Sequence, residues 1–155
     1  MNRLSSLLLA FAVILYSAWQ SSILFSHWVG APLVLYSWAA FLVWMLPIPL
    51  FWLHYFITKP EVKWNSFPIW IALILVLFGQ MGSFNTLNYF GFAFALSALI
   101  PWQWPFLAWI AGSLSWMPAL GWVGSYVFPS IIVPVRIILA VAAALWALIV
   151  MWRKR

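Results

Sequence analysis

Residues 133–155 read VPVRIILAVAAALWALIVMWRKR, an apolar run that ends in three consecutive positive charges. An apolar stretch of about 20 residues has the length of a helix that crosses the hydrocarbon of a bilayer. Basic residues directly after such a stretch are typical of a helix end on the cytoplasmic side. The segment therefore predicts a membrane-spanning helix over residues 131–152.

The rest of the chain also contains few charged residues. Of its 155 residues, 68% are hydrophobic and only 5% are charged, whereas a soluble domain carries about 25% charged residues. A water-soluble globule needs more polar residues than this to cover its surface, so lipid must take the place of water. We expect an all-α, polytopic transmembrane helical bundle that forms one integral-membrane domain over residues 1–155.

Polar and proline-rich breaks divide the chain into apolar runs. Pro47 and Pro49 remove two backbone donors from the second run and should kink this helix or end its regular part. Residues 80–88 are expected to form a polar, Gly-containing break, residues 117–130, with two Pro and two Gly, to be irregular, and residues 101–105 to form a rigid turn. The expected helices cover residues 4–25, 31–56, 68–79, 89–100, 106–116 and 131–152.

Basic residues give the expected topology. Arg3, the pair Lys59 and Lys63, and residues 153–155 mark three inside positions, so an even number of crossings must separate each pair of marks. Six helices satisfy this count, and so do four helices with residues 83–128 as a re-entrant or interfacial hairpin. Both readings place the two termini in the cytoplasm, and we expect a bacterial or archaeal cell membrane.

Arg136 is the one charge inside an expected membrane helix. It lies roughly 25 Å before Arg153 along a helix, which puts it just inside the outer boundary of a hydrocarbon layer about 30 Å thick. Its guanidinium either extends outward to headgroup phosphates or faces the bundle. In the first case, replacing it by alanine should leave stability largely unchanged.

In the second case, Arg136 would line an outer-leaflet polar site with three amide side chains that the topology places at the same level. Such a site would take an anionic group, for example a lipid phosphate or a carboxylate. The three amide residues are Gln80, Asn85 and Asn88.

Residues that carry enzymatic chemistry are nearly missing. The sequence has no Cys and no Asp, and Glu61 is its only acid, so thiolate nucleophiles, carboxylate pairs and Ser-His-Asp triads are excluded. His27 and His54 fall about 40 Å apart along the second expected helix. We therefore expect no catalytic residue, no metal site and no cofactor. The basic residues also form no stripe that would bind nucleic acid.

Two patterns predict how the helices pack. Small residues recur at helical spacing in the fourth and last runs, which allows close helix contact within the chain or with a partner chain. Gln20, Gln80 and Gln103 are expected to be hydrogen-bond partners of other helices rather than part of a permeation path. The small-residue pairs are Gly91 with Ala95, Ala93 with Ser97, Ala140 with Ala144, and Ala143 with Ala147.

Three stretches resemble the membrane region of exosortases and archaeosortases: FSHWVGAPLVLYSWAAFLVW at 25–44, Pro47-Ile48-Pro49, and GSFNTLNYFG at 82–91. They cover about a third of the chain. The resemblance implies a multi-spanning cysteine transpeptidase of C-terminal sorting signals that uses Cys, Arg and His. This chain departs from that pattern, because it has no Cys and no His follows Arg136, the one counterpart of the family arginine. A related chain of this kind would be a shortened, non-catalytic relative or an accessory.

Together these features predict a non-catalytic multi-pass membrane protein that serves as a subunit or accessory of a larger membrane assembly. Two alternatives remain open: a small homo-oligomeric transporter, channel or lipid-binding protein that uses Arg136, and a component of an exosortase-like sorting system. The expected partners are the lipid bilayer and another membrane protein or further copies of the chain, and not nucleic acid.

Overall fold

The computed structural model describes residues 3–22, 36–58, 64–127 and 130–153, with side chains from residue 8 onward. Within these ranges the chain forms helices and no β-strand. The helices are α1 (Arg3–Gln20), α2 (Ser37–Met45), α3 (Pro47–Thr58), α4 (Phe67–Gly82), α5 (Asn85–Ser97), α6 (Phe106–Ala111), the 3-10 helix η1 (Gly112–Ser115), α7 (Pro118–Val127) and α8 (Ile132–Trp152).

Two of the described helical segments are long and apolar enough to cross a membrane. One is the 22-residue segment Ser37–Thr58, formed by α2 and α3, and the other is α8 with 21 residues. A third crossing is possible if Phe106–Ser115 and Pro118–Val127, which are bent by 65° relative to each other, act as one broken span. These lengths are compatible with a membrane protein, and they do not confirm the six crossings expected from the sequence.

The break at the two prolines was predicted correctly. Helix α2 ends at Met45 and α3 begins at Pro47, and the Leu46 amide bonds to the carbonyl of Val43 in a tightened turn. Pro68 lies in the first turn of α4, where its missing donor costs nothing. The expected last helix over 131–152 is confirmed as α8. The polar loop around Lys59, Glu61 and Lys63, and residues 23–35, lie outside the described residues.

One stretch predicted as irregular is largely helical: residues 118–127 form α7, and Gly121 and Gly124 lie on its buried side. The break predicted within residues 80–88 is present but short, with Ser83 in the left-handed region at φ 55°. Asn85 and Asn88 consequently belong to α5 rather than to a loop.

The chain divides into two compact units. Unit 1 contains α1, α4 and α5. Helices α4 and α5 form an antiparallel hairpin, and α1 packs against both. Gly91 of α5 lies so close to α4 that an added Cβ would overlap the Val76 side chain and would lie 3.1 Å from the Ala72 carbonyl, which confirms close packing at the predicted Gly91 position. The core of unit 1 consists of Ala10, Val13, Ile69, Ala72, Ala95 and Ala98.

Unit 2 contains α2, α3, α6, η1, α7 and α8, and α8 contacts every other helix of the unit. Its buried face carries the predicted small residues Ala140, Ala143, Ala144 and Ala147. At Gly112 of η1 an added Cβ would overlap the Cβ of Ala143. The small-residue face of α8 is therefore used for packing within the chain.

Candidate functional site

Helix α8 places Arg136 in its second turn and on its buried face. The residue precedes Ala140 by four positions, so both side chains emerge from the same side of the helix. The Arg136 side chain is 1% exposed. A guanidinium that extends outward to lipid headgroups requires an exposed side chain, so the first of the two predicted orientations is wrong for this structure. Arg136 faces the interior of unit 2.

Arg136 binds the backbone at the break between η1 and α7. Its Nη1 donates to the carbonyl of Ser115 at 2.7 Å and to the carbonyl of Met117 at 3.3 Å. The last carbonyls of a helix lack intrahelical donors, and Pro118 has no N–H to supply. A cationic side chain from α8 therefore satisfies the carbonyl end of α6 and η1, where the helix dipole also favours a positive charge.

A cluster of buried tryptophans lies beside this break. The indoles of Trp44 in α2 and Trp109 in α6 stack with centroids 4.7 Å apart. Each donates to the other's backbone: Trp44 Nε1 to the Trp109 carbonyl at 2.7 Å, and Trp109 Nε1 to the Trp44 carbonyl at 2.9 Å. Trp116 packs edge-on against Trp44. All three indoles are fully buried.

Three serine hydroxyls in unit 2 are buried without a hydrogen-bond partner among the described residues. Ser115, whose carbonyl accepts from Arg136, is one of them, and Ser113 of η1 and Ser37 of α2 are the others. Helices α2, η1 and α8 pack against one another. A buried hydroxyl without a partner is uncommon in proteins, and one of the three, that of Ser115, belongs to the residue whose carbonyl Arg136 binds.

The other three predicted site residues belong to unit 1. Gln80 of α4 donates to Gln20 of α1 at 2.5 Å, which confirms the interhelical role expected for these two glutamines. Gln103 Oε1, by contrast, is buried without a hydrogen-bond partner among the described residues. Asn88 of α5 is 3% exposed, and its Oδ1 has no partner among the described residues. The Ser21 hydroxyl donates to the Asn88 carbonyl at 3.4 Å. Asn85, at the start of α5, is exposed.

Gly79 makes room for the Asn88 side chain. An added Cβ at Gly79 would overlap Asn88 Oδ1, so the amide lies directly against the backbone of α4. Gln80 and Asn88 thus occupy the same end of the α4–α5 hairpin. That these residues share one anion site with Arg136 stays a prediction, since Arg136 belongs to unit 2.

The described residues include no group of three His, Cys, Asp or Glu side chains placed to hold a metal ion. His27 and Glu61 lie outside the described ranges, whereas His54 in α3 has its Nε2 3.0 Å from the Thr58 hydroxyl.

No protein-family model, no curated protein and no solved structure matches the chain. The resemblance to exosortases and archaeosortases therefore rests on the short sequence stretches alone.

Proposed function

We propose that the chain is a multi-pass integral membrane protein that acts as a non-catalytic subunit or accessory of a larger membrane assembly. The observation that carries the proposal is the division of α8 into two faces. One face is made of small residues and Arg136 and packs inside unit 2. The opposite face exposes large apolar side chains along the helix, among them Ile138, Leu145 and Ile149.

Such a division fits a helix with protein on one side and lipid or a partner helix on the other. Large exposed apolar side chains also lie along the α2–α3 segment, for example Leu42, Leu53 and Phe56. An exposed apolar surface of this extent is not stable in water and marks a membrane or protein interface.

The role of Arg136 supports a non-catalytic function. An ionisable residue within a membrane segment is by default a candidate for a substrate or ion pathway. Here its guanidinium binds two backbone carbonyls of its own chain, so holding the fold is a sufficient reason for its presence. The sequence also lacks Cys and Asp, which leaves it without the usual nucleophile and acid–base groups.

The test is purification of the tagged chain from its native membrane into lipid nanodiscs, followed by native mass determination. The proposal expects a second protein at a fixed ratio that persists in two different lipid compositions. Ile138→Ala and Leu145→Ala trim the outward face of α8 without touching its packed face, and loss of the second protein in these variants would locate the contact. A chain that runs alone would contradict the proposal.

A second candidate function is a homo-oligomeric transporter or lipid-binding protein that uses Arg136. It is favoured by the unpartnered hydroxyl of Ser115 beside the carbonyl that Arg136 binds. In the same experiment this function expects a defined homo-oligomer with bound lipid or another anion, and Arg136→Lys should reduce the bound amount. If the chain is instead an accessory of an exosortase-like sorting system, we expect the co-purified protein to be a sorting transpeptidase.

A further inference from the structure

Helices α6 and η1 run antiparallel to α8 over about ten residues. Three contacts establish the register within unit 2. Trp146 Nε1 donates to the carbonyl of Pro105 at 2.8 Å, Gly112 lies against Ala143, and Arg136 binds the carbonyls of Ser115 and Met117. As the residue number rises from 105 to 117, its partner on α8 moves back from 146 to 136. Helices α6 and η1 therefore run alongside α8 in the opposite chain direction.

Beyond this register the chain turns away. Helix α7 is bent by 65° relative to the segment Phe106–Ser115. If α8 crosses the bilayer, as the proposed function requires, α6 and η1 also run across the bilayer, with the opposite chain direction. With α8 upright, a 65° bend leaves α7 closer to the plane of the membrane than to its normal. An average tilt of about 20° still leaves α7 about 45° or more from the normal. With ten residues, α7 is about 15 Å long and too short to cross alone.

The bend also lies at the level of a membrane boundary. Arg136 is in the second turn of α8, near the end of that helix opposite Arg153. The sequence places this level just inside the hydrocarbon boundary. The bend and α7 are thus expected at the headgroup region, where non-spanning helices lie.

The two faces of α7 match this location. Gly121 and Gly124 are buried, and α7 packs against α8 and η1. Trp122 and Tyr126, one turn apart, are 60% and 76% exposed and form an edge-on pair with centroids 5.6 Å apart. Amphipathic rings of Trp and Tyr prefer the headgroup level because one end of the ring is apolar and the other polar.

We propose that α7 lies in the membrane interface as a non-crossing helix and that its Trp122–Tyr126 face binds the phospholipid headgroup–acyl boundary. This inference rests on the proposed membrane function. In this arrangement α7 contacts the membrane surface and does not form part of a third crossing. The bonds from Arg136 to the carbonyls of Ser115 and Met117 stabilise the bend that directs α7 along the surface.

Single-cysteine spin labels test this placement, because the natural sequence has no Cys. Val123→Cys and Val127→Cys occupy exposed positions four residues apart on α7, and Ile138→Cys and Ala142→Cys form a matched pair at exposed positions on α8. Depth is measured from oxygen and nickel-chelate accessibility in nanodiscs of phosphatidylcholine and phosphatidylglycerol. We expect the α7 labels at one depth near the headgroups, and the α8 labels at depths that differ by about 6 Å.

The other outcomes are distinguishable. If the α8 pair differs in depth and the α7 pair differs by a similar amount, α7 continues through the bilayer and the inference is wrong. If the α8 pair behaves as expected and the α7 labels are fully accessible to water, α7 does not bind the interface. If neither pair contacts lipid, both the placement of α7 and the proposed membrane function are wrong.

Discussion

Arg136 combines a full positive charge with almost complete burial. Burying an ion costs several kcal/mol even after the protein relaxes, so the arrangement persists only if the charge acquires good partners. The carbonyls of Ser115 and Met117 are such partners, because they terminate a helix and carry the negative end of its dipole. The arginine and the helix break therefore stabilise each other: the break leaves carbonyls without donors, and the guanidinium needs acceptors.

The first prediction concerns this pairing. Arg136→Met keeps much of the side-chain volume and removes every donor, which leaves the Ser115 and Met117 carbonyls buried without the bonds they now accept. An unsatisfied buried acceptor costs about 1–3 kcal/mol, so we expect the free energy of unfolding to fall by roughly that amount. Unfolding in mixed detergent micelles, followed by near-UV circular dichroism of the buried Trp cluster, measures the change.

Ile138→Met is the matched control, since Ile138 is exposed on the same helix two residues later. We expect its unfolding midpoint to equal that of the unchanged chain. If Arg136→Met shares that midpoint, the arginine does not hold the bend, and the expectation derived from an outward-pointing side chain would be correct after all.

The buried position of Arg136 can be predicted from the sequence, whereas its hydrogen-bond acceptors cannot. Arg136 lies four residues before Ala140, and Ala140 and Ala144 predict a packed face, so helical periodicity already places the arginine on that face. Its acceptors could not be predicted, because Ser115 and Met117 lie about twenty residues away and their carbonyls become available only through the break before Pro118. Tertiary packing determines such pairs, and local pattern does not.

At the scale of elements, close approach of η1 to α8 depends on one glycine. An added Cβ at Gly112 would overlap the Cβ of Ala143, whereas the next nearest atoms are the Ala143 Cα at 3.6 Å and the Leu139 carbonyl at 3.8 Å, which are ordinary contacts. The obstacle is therefore a single methyl group. Exchanging the two residues should restore the fit.

The second prediction is a double-mutant cycle at this contact. Gly112→Ala should lower the free energy of unfolding by about 1–3 kcal/mol through overpacking, and Ala143→Gly by about 1 kcal/mol through lost helix propensity. The double variant should be more stable than Gly112→Ala alone, which gives a favourable coupling energy. Strictly additive losses in the same micelle unfolding assay would show that the two residues do not meet.

The third prediction tests the outward face of α8. Leu145→Asp puts a carboxylate on an exposed position near the middle of the helix, where transfer of Asp into the membrane costs about 2.5–3.5 kcal/mol. We expect a marked fall in the fraction of protein that resists alkaline carbonate extraction. Trp152→Asp is the control, because the last residue of α8 should reach the interface and tolerate the charge. Equal extraction of both variants would mean that lipid does not cover this face.

The elements that the sequence predicts best are those with long, uninterrupted apolar periodicity. Helix α8 begins and ends within a residue of the expected limits, and the proline pair correctly marks the break between α2 and α3. Helix α7 was missed because two Pro and two Gly between residues 117 and 130 indicated an irregular stretch, whereas the structure has Gly121 and Gly124 on the buried side of a regular helix. The buried Trp pair was missed because an indole N–H that bonds to a distant carbonyl leaves no local signal.

At the scale of the whole molecule, the positions of the charged residues predict the membrane topology. The chain has seven basic residues and one acid, and the basic residues other than Arg136 group near residues 3, 59–63 and 153–155. Such grouping predicts that these positions share one side of a membrane, because Lys and Arg in short loops are retained on the cytoplasmic side. Arg136 is the exception to this grouping, and the structure places it in a buried backbone contact. Its role in the fold therefore explains why it departs from the topological pattern.

The fourth prediction follows from this grouping. Single cysteines in place of Asn2, in place of Val62 and appended after Arg155 should all report from the same side of the membrane. In intact cells a membrane-impermeant maleimide should label none of the three, and permeabilisation should expose all of them; Val123→Cys on α7 should label from outside and serves as the control. Labelling of Val62→Cys alone in intact cells would mean an odd number of crossings on each side of that loop. Because the termini would then be inside and the loop with Lys59 and Lys63 outside, that result would require a topology in which these two lysines do not mark an inside position.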